Sequence, residues 1–577
     1  MRRTAYRVRK CYVPRAKYSD GLGVWRVALN WRYAVRGTLY EKETHVNFHK
    51  RACSMPVVAA VTAVLYAATE PGVDGTRWWS YIEYLASDAL QGRGLGTDGY
   101  KKASEYVAGQ FEKAGLKAAG TSAYFQPIQF DVRKIVEEKS SVSLVRDGKA
   151  EPVDLGDDAN ISLRGDPGHD IDAAAVFVGY GLTVPEKSYD DLKGLDLKGK
   201  IAVYLAGGPA DMPGPLKSHY QSAGERWKFL KAAGVVGIAT IANPKAMDIP
   251  WSRSTLARFR PVISLADPSL TETQGLAFSL AINPARAEKF FAGSGHTFAE
   301  ILDAADRKKP LPHFPLAVRI RAHVAFEQSK TDSRNIAGIY EGSDPKLKSE
   351  YVVMTAHLDH LGVGRPINGD AVYNGAMDDA SGVATMLDIV NMLHDQKPTL
   401  KRSVLFVTVT GEESGLLGSR YYSTHPTVNA ANIAADINVD MFLPLHPLKY
   451  LEVQGVQEST LGNDIRAVAQ ANGIEVQTDK EPERNLFIRS DQYSFIRRGV
   501  PALAFKFGYV PGSAEEKLHK DWLKNRYHAP SDDLNQPVDK AAAGKFNVVI
   551  LQLIERVANE PARPQWNPDS FFRRFQK

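Results

Sequence analysis

The chain has 577 residues, which is too long for a single hydrophobic core, so at least two structural units are expected. Its 44% hydrophobic and 24% charged residues are typical of a globular protein and exclude a mostly disordered or collagen-like chain. The net charge of +6 comes from residues 1–54, which hold 13 of the 72 Lys and Arg residues but only 3 of the 66 Asp and Glu residues. Since residues 55–577 have a net charge of −4, we expect no nucleic-acid partner.

The first predicted element is a secretory signal peptide. Lys50 and Arg51 precede an apolar run at 56–68, which is shorter than the roughly 20 residues that a membrane-spanning helix needs. An ordinary buried helix is the alternative. Both cysteines, Cys11 and Cys53, precede the run, so a mature chain would contain no disulfide. We therefore expect a secreted or periplasmic protein with no integral membrane segment.

The predicted secondary structure changes from helical to strand-rich in the middle of the chain. Residues 77–117 predict two helices around a turn-rich segment at 91–99. From Ala173 onward, β-branched runs alternate with a helix near 224–233, and further strands are predicted near 262 and 280. This pattern indicates a small strand-rich unit inserted into a larger domain.

From residue 333 to 558, strands and helices alternate regularly. Such alternation predicts an α/β fold with a mostly parallel, mixed sheet sandwiched by helices. The predicted strands are 351–360, 403–410, 433–441 and 501–507, and the helices are 381–394, 415–425, 460–472 and 538–558. The predicted domains are an N-terminal extension with signal peptide (1–71), a catalytic domain in two parts (72–150 and 295–577) and the insertion (151–294).

Five acidic residues and a histidine follow these strands or lie in the loops between them. In an open α/β sheet, sites form outside the carboxyl ends of the strands, so we expect the six side chains to meet there. An unpaired cluster of buried carboxylates is costly, and a divalent cation removes that cost. The residues are His357, Asp359, Asp378, Glu412, Glu413 and Asp440.

The types of ligand indicate which metal would bind. Imidazole nitrogen mixed with carboxylate oxygen suits Zn²⁺, with Mn²⁺ or Co²⁺ as possible substitutes, whereas Ca²⁺ and Mg²⁺ favour oxygen alone. His528 can supply a second imidazole. Two histidines and three carboxylates match two zinc ions about 3.5–4 Å apart, with one carboxylate bridging them.

Five motifs in order, HLDH, GAMDDASG, GEESGLLGS, NVD and YHAPSDD, resemble the zinc-dependent aminopeptidase family that includes aminopeptidase Y and glutamate carboxypeptidase II. The resemblance spans roughly residues 77–558. Within it, FVGYGL and LDLKGKIAVYLAGGP resemble the protease-associated domain that is inserted in many members. The resemblance implies a zinc-exopeptidase fold with a protease-associated domain.

The resemblance also implies a set of metal ligands. It assigns His357 and Asp440 to one zinc ion, and Glu413 and His528 to the other. Asp378 would bridge the two ions. Its neighbour in the sequence, Asp379, is the alternative bridge, although the spacing to Ser381–Gly382 favours Asp378.

Two further roles follow from the resemblance. Glu412 would be the general base, and Asp359 would orient His357. Four other histidines match no motif and are expected to be structural or exposed: His360, His394, His425 and His446. Asp532 and Asp533 are expected to cap a turn, and support of a metal ligand is the minor alternative.

The chain departs from the family pattern in one segment. Residues 489–495 resemble a stretch that usually contains SDH, but Gln492 replaces the histidine. Some members have an oxyanion-stabilising tyrosine just upstream, where this chain has Phe487. Tyr493 or Tyr527 could take that role, and the sequence leaves the choice open.

The function that we predict is an exported zinc metallo-aminopeptidase acting on peptide substrates. Three alternatives remain: a carboxypeptidase or dipeptidase, a glutaminyl cyclase with one zinc ion, and a non-catalytic binding protein. Arg489, Arg497 or Arg498 could bind a substrate carboxylate in the first of these. The sequence does not indicate the oligomeric state.

Overall fold

The computed structural model describes residues 74–576 except Asp248 and Asn485. The predicted signal peptide and both cysteines lie outside the described residues. Within them, no helix is both long enough and apolar enough to cross a membrane.

The larger of two sheets has ten strands and carries the predicted ligands. Its central strands pair in parallel, and antiparallel strands flank them on both sides. In spatial order the strands are β11 (Val262–Leu265), β2 (Phe125–Ile135), β14 (Phe326–Tyr340), β18 (Ser403–Val409), β15 (Tyr351–His357), β19 (Ile433–Asn438), β22 (Ala502–Phe507), β20 (Tyr450–Gln454) and β21 (Glu475–Gln477), with β1 (Lys117–Ala118) paired to β14.

The smaller sheet has eight strands and includes most of the predicted insertion. It extends beyond 151–294 on both sides, because strands at 141–146, 149–153 and 313–323 belong to it. In contrast, β11 joins the larger sheet. In spatial order its strands are β4 (Lys149–Val153), β3 (Ser141–Arg146), β13 (His313–His323), β6 (Asp170–Val178), β9 (Ile201–Leu205), β10 (Gly237–Ile241), β12 (Phe278–Ile282) and β5 (Ala159–Ile161). Two strand pairs are separate: β7 (Thr183–Val184) with β8 (Tyr189–Asp190), and β16 (Gly362–Ile367) with β17 (Asp370–Tyr373).

Helices cover both faces of the larger sheet, because its central strands are apolar on both sides. Val352 and Met354 belong to the core that contains the helices at 381–396 and 540–559. Val353 belongs to the core on the opposite face. The α-helices are α1 (Thr76–Leu85), α2 (Asp98–Lys113), α3 (Gly214–Gln221), α4 (Ala223–Ala232), α5 (Trp251–Ser254), α6 (Glu288–Phe291), α7 (Phe298–Asp306), α8 (Ser381–Gln396), α9 (Leu417–Thr424), α10 (Leu461–Ala471), α11 (Gln492–Ile496), α12 (Ala514–Asn525) and α13 (Lys540–Asn559).

The parallel strands β15, β18 and β19 end at the same edge of the sheet. His357, the last residue of β15, is in register with Val409 of β18, and Thr355 is in register with Asn438 of β19. The chain segments that follow the three strands therefore leave the sheet side by side, and this edge is where the predicted ligands meet.

Candidate metal centre

Asp378 lies at the centre of the cluster, between two imidazoles. His357 Nε2 is 3.3 Å from Asp378 Oδ1, and His528 Nε2 is 3.3 Å from Asp378 Oδ2. Asp378 comes from the loop before α8, and His528 comes from the loop after α12. One carboxylate thus presents a different oxygen to each histidine, which is the arrangement that a bridging ligand requires.

Each imidazole has one further carboxylate nearby. His357 Nε2 is 3.7 Å from Asp440 Oδ1, and His528 Nε2 is 3.1 Å from Glu413 Oε2. The side chains that the family resemblance implies as ligands therefore lie in two ligand sets around Asp378, one with His357 and Asp440 and one with His528 and Glu413.

His360 is a third imidazole in the cluster. It is only 2% exposed, and its Nδ1 lies 2.7 Å from Glu413 Oε1 and 3.8 Å from Asp378 Oδ2. His360 is thus buried within the cluster, a place that the expectation of a structural or exposed histidine did not include. The missed signal was the HLDH motif itself, in which His360 follows His357 by three residues.

The donor atoms of the cluster suit a metal ion. His357 Nε2, His360 Nδ1, Asp378 Oδ2, Glu413 Oε1 and Asp440 Oδ1 are buried and have no hydrogen-bond partner among the described residues. Buried polar atoms are almost always satisfied, so a group of such atoms close to one another fits the binding of a cation. Two groups have ligand atoms within 4.8 Å of one another: His357, Asp378 and Asp440, and His360, Asp378 and Glu413.

The buried carboxylates and imidazoles of the cluster shift one another's pKa. Burial acts to raise the pKa of Asp378, but the imidazoles of His360, His357 and His528 outweigh burial and hold that pKa well below its usual range. Burial disfavours the charged form of His528, but Glu413 and Asp378 outweigh this effect and raise its pKa to about 9. Positive charge is therefore strongly favoured between these carboxylates.

Glu412 lies beside the two ligand sets. Its Oε2 is 4.0 Å from His357 Nε2, and its side chain lines the same cavity as Asp378, Asp440 and His528. Burial raises the pKa of Glu412 well above its usual range, and the charge of Asp440 acts in the same direction. Glu412 is thus a buried carboxyl group at the cavity wall, next to the metal-ligand atoms.

Asp359 contacts the cluster through its main chain as well as its side chain. The Asp359 carbonyl oxygen is 3.0 Å from His357 Nδ1, whereas its carboxylate is 4.0 Å away and accepts a hydrogen bond from the Glu412 backbone nitrogen. Burial raises the pKa of Asp359 to about 7. The predicted contact with His357 is thus made by the main-chain oxygen, and the carboxylate holds the loop that carries Glu412.

The loop that carries Asp378 is held from two sides. Asp532 accepts hydrogen bonds from the backbone nitrogens of Met377 and Asp378 at 2.9 and 3.0 Å. Arg93, which is fully buried, donates to the carbonyl oxygens of Gly375 and Leu358. Sequence patterns place Arg93 only in a turn-rich segment, because no local signal indicates that its guanidinium is buried.

Asp379 takes a different role from its neighbour. Its Oδ1 accepts hydrogen bonds from the backbone nitrogens of Gly382 and Met441 at 2.9 and 3.3 Å. The peptide bond between Asp378 and Asp379 is cis. Asp379 therefore fastens the start of α8, and Asp378 is the residue that lies between the imidazoles.

Gln492, which departs from the family pattern, and the adjacent Tyr493 both form hydrogen bonds within the protein. Gln492 accepts a hydrogen bond from Asn438 and donates one to the carbonyl oxygen of Phe487. The Tyr493 hydroxyl is 2.9 Å from His219 Nδ1, on helix α3. Tyr527 lines the cavity beside His528. Of the two tyrosines that the sequence left open, Tyr527 is the one beside the ligands.

The arrangement of strands and helices is that of a zinc-exopeptidase fold. A solved aminopeptidase from Aneurinibacillus sp. strain AM-1 has the same fold, with a TM-score of 0.52 and 18% sequence identity over 86% of this chain and 97% of that one. The predicted mixed α/β fold is thereby confirmed.

Residues 335–554 match the model of peptidase family M28, which confirms the resemblance carried by the five motifs. A probable zinc metalloprotease from Pyrenophora tritici-repentis is 34% identical over 106 residues, 18% of this chain and 23% of that protein. A probable leucine aminopeptidase 2 from Aspergillus oryzae is 26% identical over 238 residues, 38% of this chain and 43% of that protein. The chain thus spans less than half the length of these curated relatives.

Proposed function

We propose that the protein is a zinc aminopeptidase that binds two zinc ions and removes N-terminal residues from peptides. The observation that carries the proposal is the position of Asp378, whose two carboxylate oxygens each lie 3.3 Å from a different imidazole. A probable leucine aminopeptidase among the relatives supports this choice of activity. Export through an N-terminal signal at 56–68 remains a prediction from the sequence.

Five residues would hold the two ions. His357 and Asp440 would bind one, Glu413 and His528 would bind the other, and Asp378 would bridge them. When bound, zinc lowers the pKa of water and polarises a carbonyl group. The unpartnered donor atoms of these side chains support this assignment.

In this mechanism Glu412 moves the proton. Its carboxylate lies at the cavity wall without belonging to either ligand set, so it can take a proton from the attacking water and pass it to the leaving amine. Asp359 keeps Glu412 in place by accepting a hydrogen bond from its backbone nitrogen. The acidic groups around the cavity suit a substrate with a free, positively charged N-terminal amine.

We assign the role of oxyanion donor to Tyr527. Tyr527 lines the cavity, and its ring lies against the ring of His528. A phenol at this place can donate a hydrogen bond to the oxygen of a substrate carbonyl as negative charge develops there.

Two of the arginines in the carboxypeptidase alternative are occupied elsewhere. Arg497 pairs with Glu272 of the strand-rich unit, and Arg498 donates a hydrogen bond to Thr424. These contacts disfavour both as anchors for a substrate C-terminus. The glutaminyl cyclase alternative requires one zinc ion, and the binding-protein alternative requires no turnover, so metal content and activity distinguish them.

The test is a panel of amino-acid p-nitroanilides and N-blocked peptides, assayed with and without a chelator. We expect p-nitroanilides with a free amine to be hydrolysed, N-blocked peptides to be resistant, and the chelator to abolish turnover. Release of C-terminal residues from N-blocked peptides would replace the aminopeptidase assignment with the carboxypeptidase one. Turnover that survives complete removal of metal would contradict the proposed centre.

A further inference from the structure

A lysine lines the wall of the cavity next to the candidate metal centre. Lys506 is the second-last residue of β22, and the register of Asn438 with Ala504 brings the chain beyond β19 alongside it, so that Lys506 and Asp440 line the same cavity. The volume of this cavity is about 70 Å³, whereas one water molecule needs roughly 10–15 Å³. A substrate group of a few heavy atoms therefore fits between Lys506 and the cluster.

Of the two acidic residues whose charges act on Lys506, Asp440 belongs to the candidate metal centre and Glu452 has other partners. Glu452 faces Lys506 across the antiparallel β20–β22 pair, but its oxygens accept hydrogen bonds from Lys480 at 3.0 Å and from Gln454 at 2.8 Å. Among the described residues, Lys506 has neither a hydrogen bond nor an ion pair within 4.0 Å through its ammonium group. A half-buried ammonium group without an anionic partner is costly, and this cost is removed when a ligand supplies the anion.

Other groups around the cavity add positive charge. Arg484 and Arg489 also line it. Burial lowers the pKa of Lys506, and the charges of Arg484 and Arg489 act in the same direction, whereas Asp440 and Glu452 raise it. The cavity is therefore lined by basic side chains as well as by the carboxylate cluster.

We propose that Lys506 binds a carboxylate of the substrate residue next to the scissile bond, so that the cavity selects substrates with an acidic group at that place. This inference rests on the proposed function, because it assumes that the substrate is cleaved beside Asp378 and Glu412. The carboxylate has two possible sources: the side chain of an N-terminal Glu or Asp residue, and the C-terminal carboxylate of a dipeptide.

The experiment compares substrates that differ only in this charge. Glu- and Gln-p-nitroanilide test the side chain, and Ala-Ala and its C-terminal amide test the dipeptide terminus. For at least one pair, we expect wild-type kcat/KM to be about tenfold to hundredfold higher for the acid. Lys506→Met should abolish most of that ratio. Lys520→Met, which removes a charge from an exposed pair with Glu516, should keep it.

Binding provides a readout that does not depend on turnover. Isothermal calorimetry of the zinc-loaded full chain with L-glutamate and L-glutamine should give the same preference for the acid and its loss in Lys506→Met. For Ala-Ala and its amide, the titration uses the Glu412→Gln background, which prevents hydrolysis. If the preference is present but no peptide is hydrolysed, the carboxylate pocket stands and the proposed function fails. Equal kcat/KM and equal affinity for the acid and amide of both pairs, with Lys506 intact, would overturn the inference, even if p-nitroanilides are hydrolysed.

Discussion

Asp532 Oδ2 accepts a hydrogen bond from the backbone nitrogen of Asp378 at 3.0 Å, and this contact fixes the residue that lies between the two ligand sets. Its other oxygen accepts a hydrogen bond from Met377 at 2.9 Å. Burial raises the pKa of Asp532. The two backbone N–H groups thus stabilise the buried Asp532 carboxylate, and the carboxylate in turn positions the loop to which they belong.

Replacing Asp532 with Ala should destabilise the protein and weaken both metal sites, because two buried backbone donors lose their acceptor. The cost of an unsatisfied buried donor is about 1–3 kcal/mol, measurable as a loss in the free energy of unfolding in urea. Asp533→Ala is the matched control, since Asp533 is partly exposed and serves a local turn at Asn535. Equal stability and equal zinc affinity in the two variants would contradict this role.

Glu412→Gln should separate metal binding from catalysis. The variant keeps the size of the side chain but cannot accept a proton, so zinc content should stay at the wild-type level while kcat falls by about 10²–10⁴. Glu413→Gln is the comparison, and there we expect zinc to be lost because Glu413 lies in a ligand set. Near-normal kcat in Glu412→Gln would remove Glu412 from the mechanism.

His360 should affect binding of the second zinc ion, which Glu413 and His528 would hold, more than binding of the first, which His357 and Asp440 would hold. Its Nδ1 lies 2.7 Å from Glu413 Oε1, so it either contributes a donor to that ion or orients the ligand that does. We expect His360→Gln to weaken the second ion by about 10–100-fold in a zinc titration. His394→Gln is the control, because that imidazole contacts the Ala114 carbonyl oxygen instead. Unchanged affinity for both ions in His360→Gln would show that His360 acts on neither.

His219 should make the contact between α3 and α11 sensitive to acid. Burial lowers its pKa to about 4, whereas a histidine in the unfolded chain titrates near 6.5, so acid protonates the unfolded chain first. Its contribution to stability is therefore complete above about pH 6.5 and is lost as the pH falls towards about 4.

The variant His219→Asn removes this titration and keeps an acceptor for the Tyr493 hydroxyl. Its free energy of unfolding should fall less than that of the wild type between about pH 7.5 and about pH 5. His323→Asn, at an exposed imidazole, should follow the wild type. If His219→Asn and the wild type lose equal stability, then His219 does not titrate in this way.

The strands and the cluster of candidate ligands were predictable because both have local signals. The apolar run at 403–410 appears as β18, and the ends of β15, β18 and β19 place His357, Glu412 and Asp440 at one edge, as expected for parallel strands. The ordered motifs then indicated His528, which is far away in the sequence.

The side chains that support the ligands were not predictable. Arg93 and Asp532 form hydrogen bonds with backbone atoms of distant loops. Every residue type has these backbone atoms, so the sequence does not indicate which loops meet. Strand β11 was predicted to lie in the insertion, but it pairs with β2 in the larger sheet. Strand pairing of this kind depends on the tertiary arrangement, which local periodicity does not encode.

The central claim is that two zinc ions sharing Asp378 are needed for peptide hydrolysis. The most direct measurement is a titration of the metal-free full chain with zinc, in which bound metal and hydrolysis of Leu-p-nitroanilide are followed together. We predict about two zinc ions bound per chain at saturation, with full activity only when both are bound. Binding of a single zinc ion at saturation, or full activity after the first, would contradict the account.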